Sequence, residues 1–133
     1  MDSLKVADLS IGFSQVEMRS PPDPDLLRIF DSSSIVARFN DEKSFVELVL
    51  TRGVPVAPLR KSTTIRGLMK GVHSESIYRQ LEGAHDGIID FKLEEVGEET
   101  RNLIRIRNMR DVGFDGRWHT LKVGEGLQVT LDK

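Results

Sequence analysis

The sequence predicts a mixed α/β chain, α+β in its layout, with a helical front and a C-terminal antiparallel β-meander. Three observations carry this. From Ile88 onward apolar and charged residues alternate with period two; before it, apolar residues recur at helical spacing. The third is size: 133 residues fit one domain, for which roughly 150 is the working prior, so residues 1–133 are expected to form a single unit. Folding at this length hides roughly two thirds of the unfolded surface, so no staple is required. The chain has no cysteine, which removes a disulfide framework, a cysteine zinc site, a thiol nucleophile and a cysteine-ligated iron–sulfur cluster.

The elements follow in order. Ser20-Pro21-Pro22-Asp23-Pro24-Asp25 stops whatever Lys5 to Met18 forms, because proline lacks an amide donor and pushes its predecessor out of the helical region. Asp23 as cap and Pro24 in the first turn predict a short helix with Leu26, Leu27, Ile29 and Phe30 on its apolar side, ended by Ser32, Ser33 and Ser34. Ser34 to Phe39 alternates as a strand, and Phe45, Leu48 and Val49 give Asp41 to Leu50 helical spacing. Arg52 to Pro58, with two prolines, predicts an extended or turning linker. Thr63 to Met69 predicts a buried strand, and Ser74 a cap for a helix carrying Ile77, Leu81 and Ala84 on one side. The meander then has strands through Ile89, Phe91 and Leu93, through Ile104 and Ile106, from Trp118 to Val123 and from Leu127 to Leu131. Its hairpin tip is Val96-Gly97-Glu98-Glu99.

Nineteen Lys and Arg against 21 Asp and Glu leave a formal charge of −2, which gives no global attraction to nucleic acid or anionic lipid. No apolar run reaches the ~18 residues of a membrane span, and the first residues lack the order of a secretory signal. The expected location is the cytoplasm, with no membrane partner. Locally the charge segregates. Residues 86–99 carry six acids against Lys92 alone, whereas residues 101–122 carry Arg101, Arg105, Arg107, Arg110, Arg117 and Lys122 against Asp111 and Asp115. One reading pairs these charges across a hairpin, at about 0.2–1 kcal/mol per pair. The other directs Arg110 and Arg117 at a phosphate, which guanidinium recognises through a fixed fork.

The runs HSESIYRQLEGAHDGIIDFKLEE and LIRIRNMRDVGFDGRWHTLKV, within His73 to Leu131, resemble the C-terminal half of KaiC-like ATPase domains of the RecA superfamily. The family strand A-D-G-[IV]-I-x-[FL] is matched by Ala84 and Asp86 to Phe91, with His85 interposed; K-M-R-G by Asn108 to Asp111; R-x-H-x-[FL] by Arg117 to Leu121. The resemblance implies a RecA-like remnant whose Arg110, Asn108, Arg117 and His119 contact a nucleotide held by a neighbouring subunit in a ring. Arg110 keeps the family's arginine. Asn108 stands for its lysine and Asp111 for its glycine, which removes one positive charge and adds a negative one. No G-x-x-x-x-G-K-[ST] phosphate loop occurs in the 133 residues. The magnesium-supporting Asp-Ser of the family is echoed by Asp2-Ser3-Leu4, and residues 14–61 show no family pattern.

The function implied is a non-catalytic module that assembles with, or regulates, an ATPase by presenting arginine. The lone chain is expected to bind no cofactor, ATP being met in trans. Partners are a complete RecA-like ATPase subunit or a second copy of this chain. Loss of the first strands would leave open edges and an uncovered apolar face, which favours such association. Two rivals use other residues. A nucleotide or nucleic-acid binder would use the basic strand 101–117 with Trp118, although a stacking platform wants several aromatics and this chain has one Trp and one Tyr. A small hydrolase would place its site in 14–61, among Asp23, Asp25, Asp31 and Asp41. His73, His85 and His119 form no metal-ligand spacing, and His85-Asp86 lacks the G-x-S-x-G elbow of a hydrolytic triad. Lys70, closing the strand after Thr63, is a further candidate for facing phosphate.

Overall fold

The front of the chain is organised by a pairing between segments distant in sequence. Strand β1 (Leu27–Phe30) runs parallel to β2 (Thr63–Arg66), with Leu27 opposite Thr63 and Phe30 opposite Arg66. The computed structural model describes residues 23–38 and 41–132, and the chain divides into two units, Met1–Ala84 and His85–Lys133. The readings of Lys5 to Met18, of Phe39 and of Asp2-Ser3-Leu4 lie outside the described residues.

In the first unit, α1 (Ser33–Arg38), α2 (Glu42–Leu48), α3 (Val54–Arg60) and α4 (Glu75–Ala84) accompany the two strands. Asp41 starts α2 by accepting a hydrogen bond from the Ser44 amide at 3.0 Å, an N-cap that satisfies one of the helix's open donors. Ala37, Phe45, Val46, Val49, Ile77 and Leu81 form the core, with Leu68 and Tyr78 packed against it. The core residues come from α1, α2 and α4, with Val49 following α2, and in α2 and α4 they recur at helical spacing.

Five local expectations are corrected by the structure. The segment Leu26 to Phe30 is strand rather than helix, because its partner lies at residues 63–66, beyond the reach of any local pattern. Asp23 does not cap; its carboxylate accepts from the Asp25 amide at 2.9 Å and makes a turn. Ser34 to Phe39 was expected as strand, but Ser33–Arg38 is helical, entered as the Ser32 hydroxyl accepts from the Ser34 amide at 3.2 Å. The serines thus begin a helix instead of ending one. Arg52 to Pro58 is not a linker either. A π-turn (Val49–Gly53) runs into α3, which accommodates Pro55 in its first turn, where no amide is needed, and ends at Lys61 in the left-handed region, φ 53°. β2 is also shorter than expected, and alternates exposed with half-buried residues.

Phe30, Thr64 and Arg66 are half-buried, whereas Leu27, Ile29 and Ile65 on the other side are exposed. Parallel sheets are normally covered on both faces, and among the described residues this face is uncovered. The Arg66 guanidinium lies 4.8 Å from the Phe30 ring centre and against Gly53, where a Cβ would collide with its Nη2. Burial lowers the Arg66 pKa from its ordinary value.

The second unit is the expected meander: β3 (Gly87–Val96), β4 (Glu99–Met109), β5 (His119–Val123) and β6 (Val129–Leu131), hydrogen-bonded in that order and antiparallel throughout. Gly97 turns the hairpin tip at φ 63°, which glycine adopts without a Cβ clash. Ile89 faces Ile106 and Phe91 faces Ile104, while Asp90 faces Arg105 and Glu94 faces Arg101. Period two thus puts Ile89, Phe91, Ile104 and Ile106 on one face and Asp90, Glu94, Arg101 and Arg105 on the other, where the buried Leu103 lies among them. Among the described residues no helix is long and apolar enough to cross a membrane.

Ile77 is 2% exposed in the first core. Ile77→Ala is expected to lower the urea unfolding free energy by about 2–5 kcal/mol, through lost burial and the cavity left behind; a change below about 1 kcal/mol would show that α4 is not part of the cooperative core.

Candidate phosphate-facing site

Asp90 is the chemical centre of the meander. It is 3% exposed, and two guanidiniums neutralise it: Arg105 at 3.0 Å through Nε and Nη2, and Arg107 at 3.1 Å through Nε. The register explains how one carboxylate reaches both. It shifts between Ile88 and Ile89, so Asn108 faces Ile88, Ile106 faces Ile89, and Arg107 is the extra residue of a β-bulge. Arg105 also lies 4.5 Å from the Trp118 ring centre, as does the Lys92 ammonium. The cross-hairpin reading of the charges therefore holds at Asp90. A strand-bound nucleic acid would meet cations already paired and an indole already engaged.

Arg110 follows directly after β4. Its amide donates to the Asp86 carbonyl at 2.7 Å and its Nη1 to the Asp86 carboxylate at 3.0 Å. The side chains are 54% and 80% exposed respectively, so the guanidinium stands at the surface. Below it Met109 lies over Gly87, where a Cβ would come within 2.8 Å of the sulfur. Asp111 turns the chain away at φ 60°. Asn108 is exposed on the strand before Arg110.

Arg117 and His119 converge on a different carboxylate, in the connection between β4 and β5. Asp115 accepts from the Arg117 amide at 3.0 Å, from Nε at 3.0 Å and from Nη2 at 3.0 Å, and lies 3.2 Å from His119 Nε2. The other ring nitrogen of His119 is 3.0 Å from the Asp132 carbonyl. The Arg117 side-chain and backbone donors hold the Asp115 carboxyl well below the usual carboxylate range, and Arg117 is raised in return. The four expected nucleotide contacts thus occupy the end of β4, the connection after it and the first residue of β5, with Arg110 and Arg117 each facing its own aspartate.

A second polar constellation, in the first unit, escaped the sequence reading. His73 Nε2 is 2.8 Å from Ser34 Oγ, and its Nδ1 is 3.4 Å from Glu42 Oε1. Ser74 gives Glu42 both its hydroxyl, at 2.7 Å, and its amide, at 3.2 Å, which lowers the Glu42 pKa. Ser34 Oγ also accepts from the Met69 amide at 2.7 Å, and Tyr78 Oη donates to the Met69 carbonyl at 2.6 Å while accepting from the amides of Val72 and His73. Serine, histidine and carboxylate stand in the order of a hydrolytic triad, yet Ser34 is 2% exposed. A nucleophile needs access to substrate, so this network fastens the loop after β2. It brings together residues 32 and 39 positions apart, and no spacing in the sequence announces it. Two of the four carboxylates proposed for a hydrolase have local roles: Asp41 caps a helix and Asp23 makes a turn.

Asp31-Ser32, joined by a cis peptide, ends β1. Gly67 ends β2 beside it, with its amide bonded to the Phe30 carbonyl at 3.0 Å, and a Cβ on Gly67 would lie 3.3 Å from Asp31 Oδ1. The apolar run before Asp31 was the available signal for a strand followed by Asp-Ser. Lys70 is exposed a few residues beyond β2.

Comparison with solved structures gives the fold. A KaiC-like protein from the archaeon Pyrococcus horikoshii superposes with a TM-score of 0.69 at 16% identity, over 96% of this chain and 57% of that one. The flagellar accessory protein FlaH from Methanocaldococcus jannaschii superposes with a TM-score of 0.62 at 15% identity, over 92% of this chain and 54% of that one. The chain spans just over half the length of these structures. No family model and no curated protein sequence matches it. At this identity the likeness establishes the fold, a KaiC-like, RecA-type arrangement.

Two outcomes follow from the ion pairs. Asp90→Asn is expected to lower stability in urea by about 2–4 kcal/mol, less than for a wholly buried pair because both guanidiniums reach solvent; an unchanged midpoint would show that the hairpin does not rely on this charge. Because the Asp115 pKa is depressed on folding, its contribution is present above the ordinary value of about 3.9 and is lost as pH falls through the folded value. Carbon-detected NMR should give Asp115 a midpoint well below that of an unpaired aspartate, and Arg117→Ala should raise it only part of the way back, because the amide of residue 117 and His119 still face the carboxylate. A normal midpoint in the wild type would refute the clamp.

Proposed function

We propose that this chain is an assembly or regulatory module that presents Arg110 to the terminal phosphates of a nucleotide held by another subunit, with Arg117 assisting. The other subunit is a complete RecA-like ATPase or a second copy. The observation that carries the reading is the state of Arg110. Its main chain is fixed at the strand root, its guanidinium is at the surface, and its partner is a solvent-exposed carboxylate. A guanidinium held this way can exchange a carboxylate for phosphate without unfolding anything, since both offer the same paired oxygen acceptors. Arg105 and Arg107 lack that freedom because Asp90 is buried.

The fold supports the reading, as does the match of Asn108 to Asp111 and of Arg117 to Leu121 to the family pattern. The uncovered face of β1 and β2 supplies a reason for association. Asn108 in place of lysine leaves Arg110 as the principal charge on the transferring phosphate.

The test is steady-state ATP turnover by a complete RecA-like ATPase subunit encoded in the same genome, with and without this chain. An arginine supplied in trans is worth up to about 10³–10⁵ in kcat. With one positive charge replaced, a rise of at least about tenfold is expected, abolished in Arg110→Ala and partly kept in Arg117→Ala. Equal stimulation by wild type and Arg110→Ala would overturn the reading, as would no stimulation at all.

A further inference from the structure

We propose that Asp86 is a built-in competitor for the anion that Arg110 recognises: its carboxylate occupies the guanidinium until a phosphate oxygen displaces it. This rests on the reading of Arg110 given above and adds its regulation.

The arginines of the meander differ in how firmly they are held. Arg105 and Arg107 share a buried carboxylate. Arg117 is held by Asp115 through its main chain and two side-chain nitrogens. Arg101 stands 3.6 Å from Glu99, two residues before it on the same strand. Arg110 makes a single side-chain ion contact among the described residues, to a carboxylate that is 80% exposed.

The main-chain bond from Arg110 to the Asp86 carbonyl, 2.7 Å, closes the hairpin root beyond the last register pair, Gly87 and Met109. It holds both α-carbons in place whatever the side chains do. Release of the guanidinium therefore needs only rotation of a solvent-exposed side chain, which is fast and breaks no secondary structure. The same bond keeps Asp86 beside Arg110 at high effective concentration, so the carboxylate reoccupies the site when the anion leaves. Exposed pairs of this kind are weak, so the masking is modest, about fivefold at most. Such a device suppresses binding of stray anions while leaving a polyphosphate, with its greater charge, able to compete.

Tripolyphosphate, which reproduces the tail of a nucleoside triphosphate, is titrated into the full chain at low salt, with the Arg110 Nε resonance and calorimetry as readouts. Asp86→Asn keeps the main-chain carbonyl and removes the charge, so it is expected to tighten binding about three- to fivefold. Arg110→Ala should weaken binding, and in that background Asp86→Asn should bring much less gain. The double-mutant cycle separates the specific contact from the general effect of deleting one negative charge. The proposal is overturned if Asp86→Asn does not tighten binding, or if the gain is the same with and without Arg110. Should Asp86→Asn fail to fold, Asp86→Ser preserves the same carbonyl and carries the comparison. Failure of this cycle would remove the competitor and leave the turnover experiment to judge Arg110 itself; a cycle that succeeds beside unchanged turnover would do the reverse.

Discussion

The second unit depends on a carboxylate withdrawn from water and neutralised by two guanidiniums. Asp90 alone on the sheet would be a costly buried charge; with Arg105 opposite and Arg107 displaced toward it by a bulge, it fixes how β3 and β4 are aligned. A slip of one residue would place Asp90 among the isoleucines of the apolar face. The alignment then determines what stands at the root of the hairpin. Gly87 falls opposite Met109, and Arg110 is delivered to Asp86.

Seen this way, the arginines of the meander divide by the burial of their partners. Those on Asp90 are structural, since removing them strands a charge in the interior. Arg110, on an exposed aspartate, is held loosely enough to be useful elsewhere. Arg117 lies between these cases: it is exposed, yet wrapped around Asp115 by its own main chain. Anion recognition needs a guanidinium that is positioned but not committed, and Arg110 meets that condition.

The meander was legible because its information is local. Alternation from Ile88 to Leu93 and from Ile104 to Arg107, together with Gly97 at the tip, specifies strands without reference to the rest of the chain. So was the charge pairing, since residues 90 and 105 belong to one hairpin. The front was misread where the deciding contacts are distant. Leu27 to Phe30 becomes a strand because it has residues 63–66 to pair with, and the serines after it start a helix in a chain already turned by that pairing. The proline-containing stretch 52–58 is helical because its first proline falls where a helix lacks an amide partner. Ser34, His73 and Glu42 come together from three separate elements, so their meeting could be found only in the fold. For the candidate site, Arg110, Arg117 and Asp86 were visible by family pattern, whereas Asp115 was seen only as part of the charge segregation, and neither aspartate was read as the partner of its arginine.

The central claim is that Arg110 leaves Asp86 for a phosphate held by another polypeptide. A cryo-EM or crystal structure of this chain bound to a complete RecA-like ATPase and a non-hydrolysable ATP analogue tests it most directly. The account predicts an Arg110 guanidinium nitrogen within about 3 Å of a terminal phosphate oxygen, the Asp86 carboxylate free, and Arg105 and Arg107 still on Asp90. An assembled complex in which Arg110 remained on Asp86, away from the nucleotide, would contradict it.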